Sequence, residues 1–201
     1  MVIDEGTTGV RTMIFDRALN LQAKAYETLN LMYPHPDFVE QSPAEVYERT
    51  VSTIKKAVLA GGIDPKEIEC IGISTQRVTW VPWRRSDGEP LMNMATWMDR
   101  RGIPRHKELK ADKEFERRFP EMYNSIQPQH IACGLGWQLR QDENLRRMMD
   151  AGELMFGTVD TWIVYKLTRR KVFASNASNA GTTRLIDNRT LNWNVVAMKY
   201  L

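Results

Sequence analysis

Several absences narrow the function of this 201-residue chain before any motif is considered. No apolar run approaches the roughly 18 residues that a membrane-crossing helix needs. No signal-peptide pattern stands ahead of the first apolar segment. The cytoplasm is therefore the expected compartment, and no membrane partner is expected. There are only two cysteines, Cys70 and Cys133. Both lie among apolar or small residues and are expected to be buried thiols rather than a disulfide or a metal pair. The three histidines, His35, His106 and His130, show no ligand spacing, so a metal site built of protein side chains alone is not expected. Charge of one sign is also missing, because 28 basic against 25 acidic residues leave a net charge of +3. The basic residues are scattered rather than striped, which argues against a nucleic-acid partner. Repeats and low-complexity linkers are absent as well. With 42% hydrophobic and 26% charged residues, the composition is that of one globular domain with a sizeable core.

The most informative stretch is the first. A short apolar strand, Val2 and Ile3, runs into Asp4, Gly6, Thr7 and Thr8. After a tight turn a second strand spans residues 12–15 and ends at Asp16. This hairpin concentrates hydroxyls, backbone N–H groups and small residues beside one carboxylate, which is the chemistry that phosphate oxygens require. Gly6 and Gly9 permit close backbone approach and positive φ, and the threonines donate hydrogen bonds. Arg11 adds a fixed charge, and Asp4 is suited to hold a hydrated Mg²⁺. Ordinary turns use the same residues.

Further along, residues 21–31 complete an expected three-stranded antiparallel meander. A loop is expected at residues 33–36, closing at residues 38–41. Ser42-Pro43-Ala44-Glu45 then gives a helix start, with Ser as cap, Pro in the first turn and Glu three residues on. That helix is expected to run to about Ala60 with Val46, Val51, Ile54 and Val58 on its apolar face, ended by Gly61 and Gly62. Residues 68–74 suggest a buried strand that delivers Thr75, Gln76 and Arg77 at its C-terminal end. Strands at 79–83 and 95–97 follow, then a mainly helical region over 102–152. It includes an amphipathic helix at 143–150, and a further helix is expected to start at residues 156–160. Asp160 and Thr158 read as helix-capping groups, and residues 178–183 as a structural loop.

Several segments in order resemble one family. Residues 4–11 (D-E-G-T-T-G-V-R), 38–43 (F-V-E-Q-S-P), 72–77 (G-I-S-T-Q-R), 95–101 (A-T-W-M-D-R-R) and 156–162 (F-G-T-V-D-T-W) are similar to the FGGY carbohydrate kinases, glycerol kinases above all. Residues 178–187 look more like sugar-kinase members such as the autoinducer-2 kinases. The resemblance implies an α/β, ribonuclease H-like domain of the actin, hexokinase and Hsp70 type, with an opening βββ meander and flanking helices. It implies ATP and Mg²⁺, with Gly6, Thr7, Thr8 and Gly9 along the phosphates and Arg11 stabilising the transferring phosphoryl group. Asp4 would hold the magnesium through water. An actin- or Hsp70-like ATPase is disfavoured by Gln76-Arg77 and by residues 97–101, which follow the sugar-kinase pattern.

For the acceptor, a sugar or polyol, the resemblance points to Gln76, Arg77, Val78, Trp97, Asp99 and Gln129. Two of these positions depart from the glycerol-kinase pattern. Val78 stands where those enzymes carry a Glu, and Gln129 stands where they carry an aromatic hydroxyl. A different polyol or a sugar is therefore the expected substrate, because a hydroxyl facing Val78 would lose on the order of 1–3 kcal/mol of pairing. Arg77 has a structural alternative as an interior ion pair with Asp99, and Trp97 has one as a core residue. The family's general-base Asp, in a G-D-Q segment, has no counterpart here. Residues 1–201 are thus expected to be an N-terminal, substrate-binding domain incomplete at its C-terminus, without the C-terminal ATP-binding domain, and inactive by themselves. A non-catalytic sugar- or nucleotide-binding relative is the alternative reading, and homo-oligomerisation of the full-length protein stays open.

Overall fold

A computed structural model describes residues 1–187 and 189–201. Its strands are β1 (Val2–Glu5), β2 (Gly9–Phe15), β3 (Leu21–Thr28), β4 (Met32–His35), β5 (Phe38–Gln41), β6 (Gly72–Thr75), β7 (Trp80–Arg84), β8 (Met94–Ala95), β9 (Leu154–Thr158), β10 (Ile186–Asp187) and β11 (Asn192–Trp193). Its helices are α1 (Pro43–Gly61), α2 (Ile103–Ala111), α3 (Lys113–Arg118), α4 (Pro120–Ser125), α5 (Ile131–Gln141), α6 (Glu143–Asp150), α7 (Val159–Leu167), α8 (Ala177–Thr182) and α9 (Val195–Tyr200). The chain divides into two compact units, residues 1–31 with 41–76, and residues 32–40 with 77–201.

The first unit carries the expected meander, extended by one parallel strand in the order β3-β2-β1-β6. Its antiparallel register sets Asp4 opposite Arg11 and Glu5 opposite Val10. Strand alternation then sends Ile3 and Glu5 into the core while Asp4 stays on the other, half-exposed face. Helix α1 packs on β2 and β3. Its start is as expected, since the Ser42 hydroxyl accepts from the Glu45 N–H at 3.2 Å. Its end is Gly62 at φ 58°, a left-handed conformation that costs glycine nothing. The buried face differs from expectation. Val46, Thr50, Thr53 and Ala57 are buried, while Val51, Ile54 and Val58 are only half-buried. The two threonines fit there because the Thr50 hydroxyl donates to the Val46 carbonyl at 2.8 Å and the Thr53 hydroxyl accepts from the Thr12 hydroxyl at 2.9 Å. The strand expected over 68–74 is shorter and less buried. It begins at Gly72 and lies at the sheet edge, with β1 as its one partner strand among the described residues, and its residues are exposed or half-buried. Cys70, expected buried, lies just ahead of β6 outside any strand and is exposed.

The second unit is built on a five-stranded sheet ordered β4-β5-β8-β7-β9. Residues 33–36, expected as a loop, form part of the β4–β5 hairpin. Residues 156–158, expected to open a helix, end strand β9, which pairs antiparallel with β7 from Trp80↔Thr158 to Arg84↔Leu154. The helix starts only at Val159. Pairing with a strand more than 70 residues away decides this, and no local periodicity reports it. Trp83 packs on Trp162 with ring centroids 5.3 Å apart. A larger apolar cluster gathers Trp80, Leu109, Phe115, Ile126, Ile131 and Cys133. Burial pushes the Cys133 thiol up to about 12. Gly134 lets α5 meet Trp80, because a Cβ there would lie 2.7 Å from the indole. Residues 178–183, expected as a loop, contribute to helix α8. No helix among the described residues is long and apolar enough to cross a membrane.

Candidate functional site

In the first unit the β1–β2 turn is built as the phosphate-loop reading requires, with one correction. Gly6 and Gly9 do not take positive φ. They serve close approach instead. The Gly6 N–H donates to the Gly9 carbonyl at 3.0 Å. A Cβ at Gly9 would fall 2.4 Å from the Tyr26 hydroxyl oxygen and 2.6 Å from the Glu27 carbonyl oxygen. Gly9→Ala is expected to cost roughly 1–3 kcal/mol of folding stability. Urea denaturation measures it, and a loss within about 0.5 kcal/mol, the scatter of neutral surface changes, would contradict the packing.

Thr8 is exposed at the tip of the turn and Thr7 is half-buried. Asp4 and Arg11 face each other across the ladder, with Arg11 Nη1 3.9 Å from Asp4 Oδ2 and both side chains about half exposed. The Arg11 guanidinium also lies 5.5 Å above the Tyr26 ring. One carboxylate, one guanidinium and a hydroxyl-bearing turn thus share a solvent-facing edge. No group of three or more acidic, His or Cys side chains among the described residues is placed to hold a metal. A lone half-exposed Asp4 fits Mg²⁺, which binds through one or two carboxylates, retained waters and substrate phosphates.

Behind the turn sits a buried clasp that the sequence did not reveal. Gln76, a candidate substrate ligand, points inward here. Its Nε2 donates to Gln41 Oε1 at 2.7 Å and to Glu5 Oε1 at 3.2 Å. Its Oε1 accepts from the Thr7 hydroxyl at 3.3 Å, and Gln41 Nε2 donates to the Thr7 carbonyl at 2.8 Å. Gln76 and Gln41 therefore hold the loop from beneath. Glu5 is fully buried, and no cation pairs with it among the described residues. Burial raises its pKa to about 8, the Gln76 hydrogen bond opposing and the Asp4 charge adding to the shift. It points away from the loop surface, so it sets no carboxylate beside a bound phosphate.

In the second unit Arg77 is exposed and makes no ion pair among the described residues. The interior pair with Asp99 does not form, since Asp99 is committed elsewhere. Asp99 is 2% exposed, with Oδ1 accepting from the Arg101 backbone N–H and Nε, each at 2.9 Å. Its Oδ2 accepts from the Val39 N–H and from Arg101 Nη2, again at 2.9 Å each. The carboxylate is saturated, so Asp99 positions other residues rather than contacting a ligand. Arg101 completes a buried triad through a 2.5 Å bond to Glu40 Oε1 and lies 4.3 Å over the Phe38 ring. Sequence reasoning gave Arg101 no role, because an Arg-Arg pair after a turn reads as a solvated face.

Val78 takes φ 76°. A β-branched residue in that region stores about 1–3 kcal/mol, and such strain gathers at functional loops. Trp97 is 44% exposed, which removes the core reading, and its backbone N–H donates to the Thr79 hydroxyl at 3.1 Å. Gln129 accepts from Arg100 Nη1 at 2.7 Å through Oε1. At the start of α7, Thr158 stands at the cap position without capping. Its hydroxyl instead donates to Asp160 Oδ1 at 2.5 Å, and the Ser175 hydroxyl donates to Asp160 Oδ2 at 2.7 Å.

The opening meander sets the hydroxyls and backbone N–H groups of its turn beside Asp4 and Arg11 at the edge of an α/β domain. Residues 1–201 match the FGGY family of carbohydrate kinases, N-terminal domain. The glycerol kinase of Borrelia duttonii is 36% identical over 191 residues, which is 95% of this chain and 38% of that protein. Glycerol kinase 2 of Thermotoga maritima is 34% identical over 192 residues, 95% of this chain and 38% of its own length. The crystal structure of Plasmodium falciparum glycerol kinase with ADP superposes with a TM-score of 0.89 at 24% identity, covering 99% of this chain and 40% of that one. Gluconate kinase from Lactobacillus acidophilus gives 0.82 at 20% identity over 99% of this chain and 39% of its own. The chain belongs to the FGGY family of carbohydrate kinases and has their ribonuclease H-like, actin/hexokinase-type fold. It spans 38–40% of the length of the curated relatives named first by similarity.

Proposed function

We propose that these residues are the N-terminal domain of an ATP-dependent kinase that phosphorylates a hydroxyl of a sugar or polyol other than glycerol. One observation carries the reading: the Gly6–Gly9 turn, clasped from behind by Gln76 and Gln41, presents Thr8, Asp4 and Arg11 on one solvent-facing edge. Phosphoryl transfer asks a protein mainly for positioned donors and charge, and this edge offers both. Backbone N–H groups of the turn and the Thr8 hydroxyl donate to phosphate oxygens. Arg11 neutralises charge that builds on the transferring group. Asp4 holds Mg²⁺ through water, and the ion, when bound, neutralises phosphate charge.

The acceptor is read by side chains of the second unit. Arg77 donates to its hydroxyls and Trp97 packs on its carbon face. Val78, in place of a carboxylate, disfavours glycerol. The Gln129 Nε2 offers a donor while its Oε1 is held by Arg100. Two free thiols fit the cytoplasm as the place of action.

Titrating the 201-residue chain with a panel of sugars and polyols, read by Trp fluorescence, tests the acceptor half. A saturable change with one member, reduced at least tenfold in affinity by Arg77→Gln, and none with glycerol, is expected. Glycerol binding best of the panel would overturn the assignment. In the same samples ADP release is expected to stay at background, because a general base is worth ~10²–10⁴-fold and relatives are more than twice this length. Robust turnover would show that these residues suffice.

A further inference from the structure

The second unit holds a cavity whose lining shares no residue with the candidate kinase site. This cavity of about 190 Å³ is lined by Arg118, Arg184 and Arg189, with Glu121, Asp187 and Asn194 at its wall. Most of these charges are already committed. Arg189 Nη2 donates to Glu121, and Asp187 Oδ1 accepts from the Arg189 N–H at 2.8 Å. Arg118 lies 5.3 Å and 5.5 Å from the Phe119 and Tyr200 ring centroids, with Glu114 at 3.9 Å from its Nε. Asn194 spends its Oδ1 on the Ala197 N–H.

Arg184 is the exception. Its Nε is buried, and it makes no side-chain hydrogen bond or ion pair among the described residues. Its backbone sits at φ 61°, so the chain holds this side chain in place at a conformational cost. Burial also lowers its pKa, the mark of a cation that has lost water without gaining a partner. The side chain is half-buried with its Nε wholly enclosed, so part of the guanidinium has lost water without a partner and an incoming anion would recover that cost. Arg's planar fork suits tetrahedral oxyanions in particular. The cavity has room for a phosphate group with a short carbon tail.

We infer that this cavity binds phosphate, free or as the head of a small phosphate ester, with Arg184 as its principal ligand. The test is NMR of the full chain labelled at arginine Nε, titrated with inorganic phosphate, glycerol 3-phosphate, acetate and chloride at constant ionic strength. The Arg184 Nε–H signal, assigned by its loss in Arg184→Met, is expected to shift saturably with phosphate or the ester, and Arg17 is not. Tighter binding of the ester than of phosphate identifies an ester site, and the reverse a free-phosphate site. In Arg184→Met the Arg118 and Arg189 signals are expected to respond with at least tenfold weaker affinity. Should that variant not fold, Arg184→Lys assigns the signal by the same loss, and the wild-type titration then decides. Equal shifts with chloride or acetate, or none with either phosphate, would overturn the inference.

Discussion

Arg101→Met is expected to remove about 3–5 kcal/mol of folding stability, the cost of breaking a buried ion pair from one side. Arg101 is nearly inaccessible, as is Asp99, and Glu40 is mostly buried. Methionine roughly fills the volume and keeps contact with Phe38, yet it strands two carboxylates in a low-dielectric interior. Among the described residues six donor contacts hold Asp99 and Glu40; three come from the Arg101 side chain, and the Val39 and Arg101 backbone N–H groups and the Asn93 amide supply the rest. Arg101→Lys is expected to recover only part of the loss, because a single ammonium cannot span both carboxylates with a fork. Urea denaturation of the three proteins measures this. A loss below about 1 kcal/mol for Arg101→Met, the range of an exposed pair, would show that the triad is solvated.

Glu5→Gln is expected to stabilise the chain, and by more as the pH rises. The folded carboxyl has its pKa raised to about 8 against an ordinary 4.5. The folded state therefore holds the proton more tightly than the unfolded state. The associated stability is full below pH 4.5 and is lost as the pH rises through about 8. At about 1.4 kcal/mol per pKa unit, the neutral amide should gain a few kcal/mol over the wild type at alkaline pH and little under acid conditions. The clasp survives the exchange, since a Gln carbonyl still accepts from Gln76 Nε2. Melting temperatures of both proteins between pH 4 and pH 9 test the sign. Parallel curves would show that Glu5 ionises normally.

The parts of this molecule that could be read along the chain are those whose causes are local. Asp4 to Arg11 form a hairpin turn because hydroxyls and glycines sit together there. Ser42, Pro43 and Glu45 start α1 because all three act within one helical turn. Residues 154–158 were harder, since a short apolar run suits either element until Trp80 and Arg84 pair with it. Gln41 and Gln76 lie 35 positions apart, and only the fold makes them one clasp. Arg101 misleads for a related reason. A basic residue beside polar neighbours reads as solvated, and only long-range packing buries it. Val78 misleads differently, as valine gives no hint of a left-handed backbone. The family pattern sets the candidate phosphate residues on one edge of the hairpin, while the side chains of Gln76 and Asp99 are engaged in hydrogen bonds inside the protein.

The central claim is that the Gly6–Gly9 turn handles the phosphates of ATP. Following backbone amide NMR signals while adding Mg·ATP to the 201-residue chain tests it most directly. Saturable shifts concentrated on residues 4–11, abolished by Thr8→Ala combined with Arg11→Gln while the rest of the spectrum keeps its folded dispersion, are the result predicted. Shifts confined to the Arg184 cavity, or no shifts at residues 4–11 at millimolar nucleotide, would contradict it.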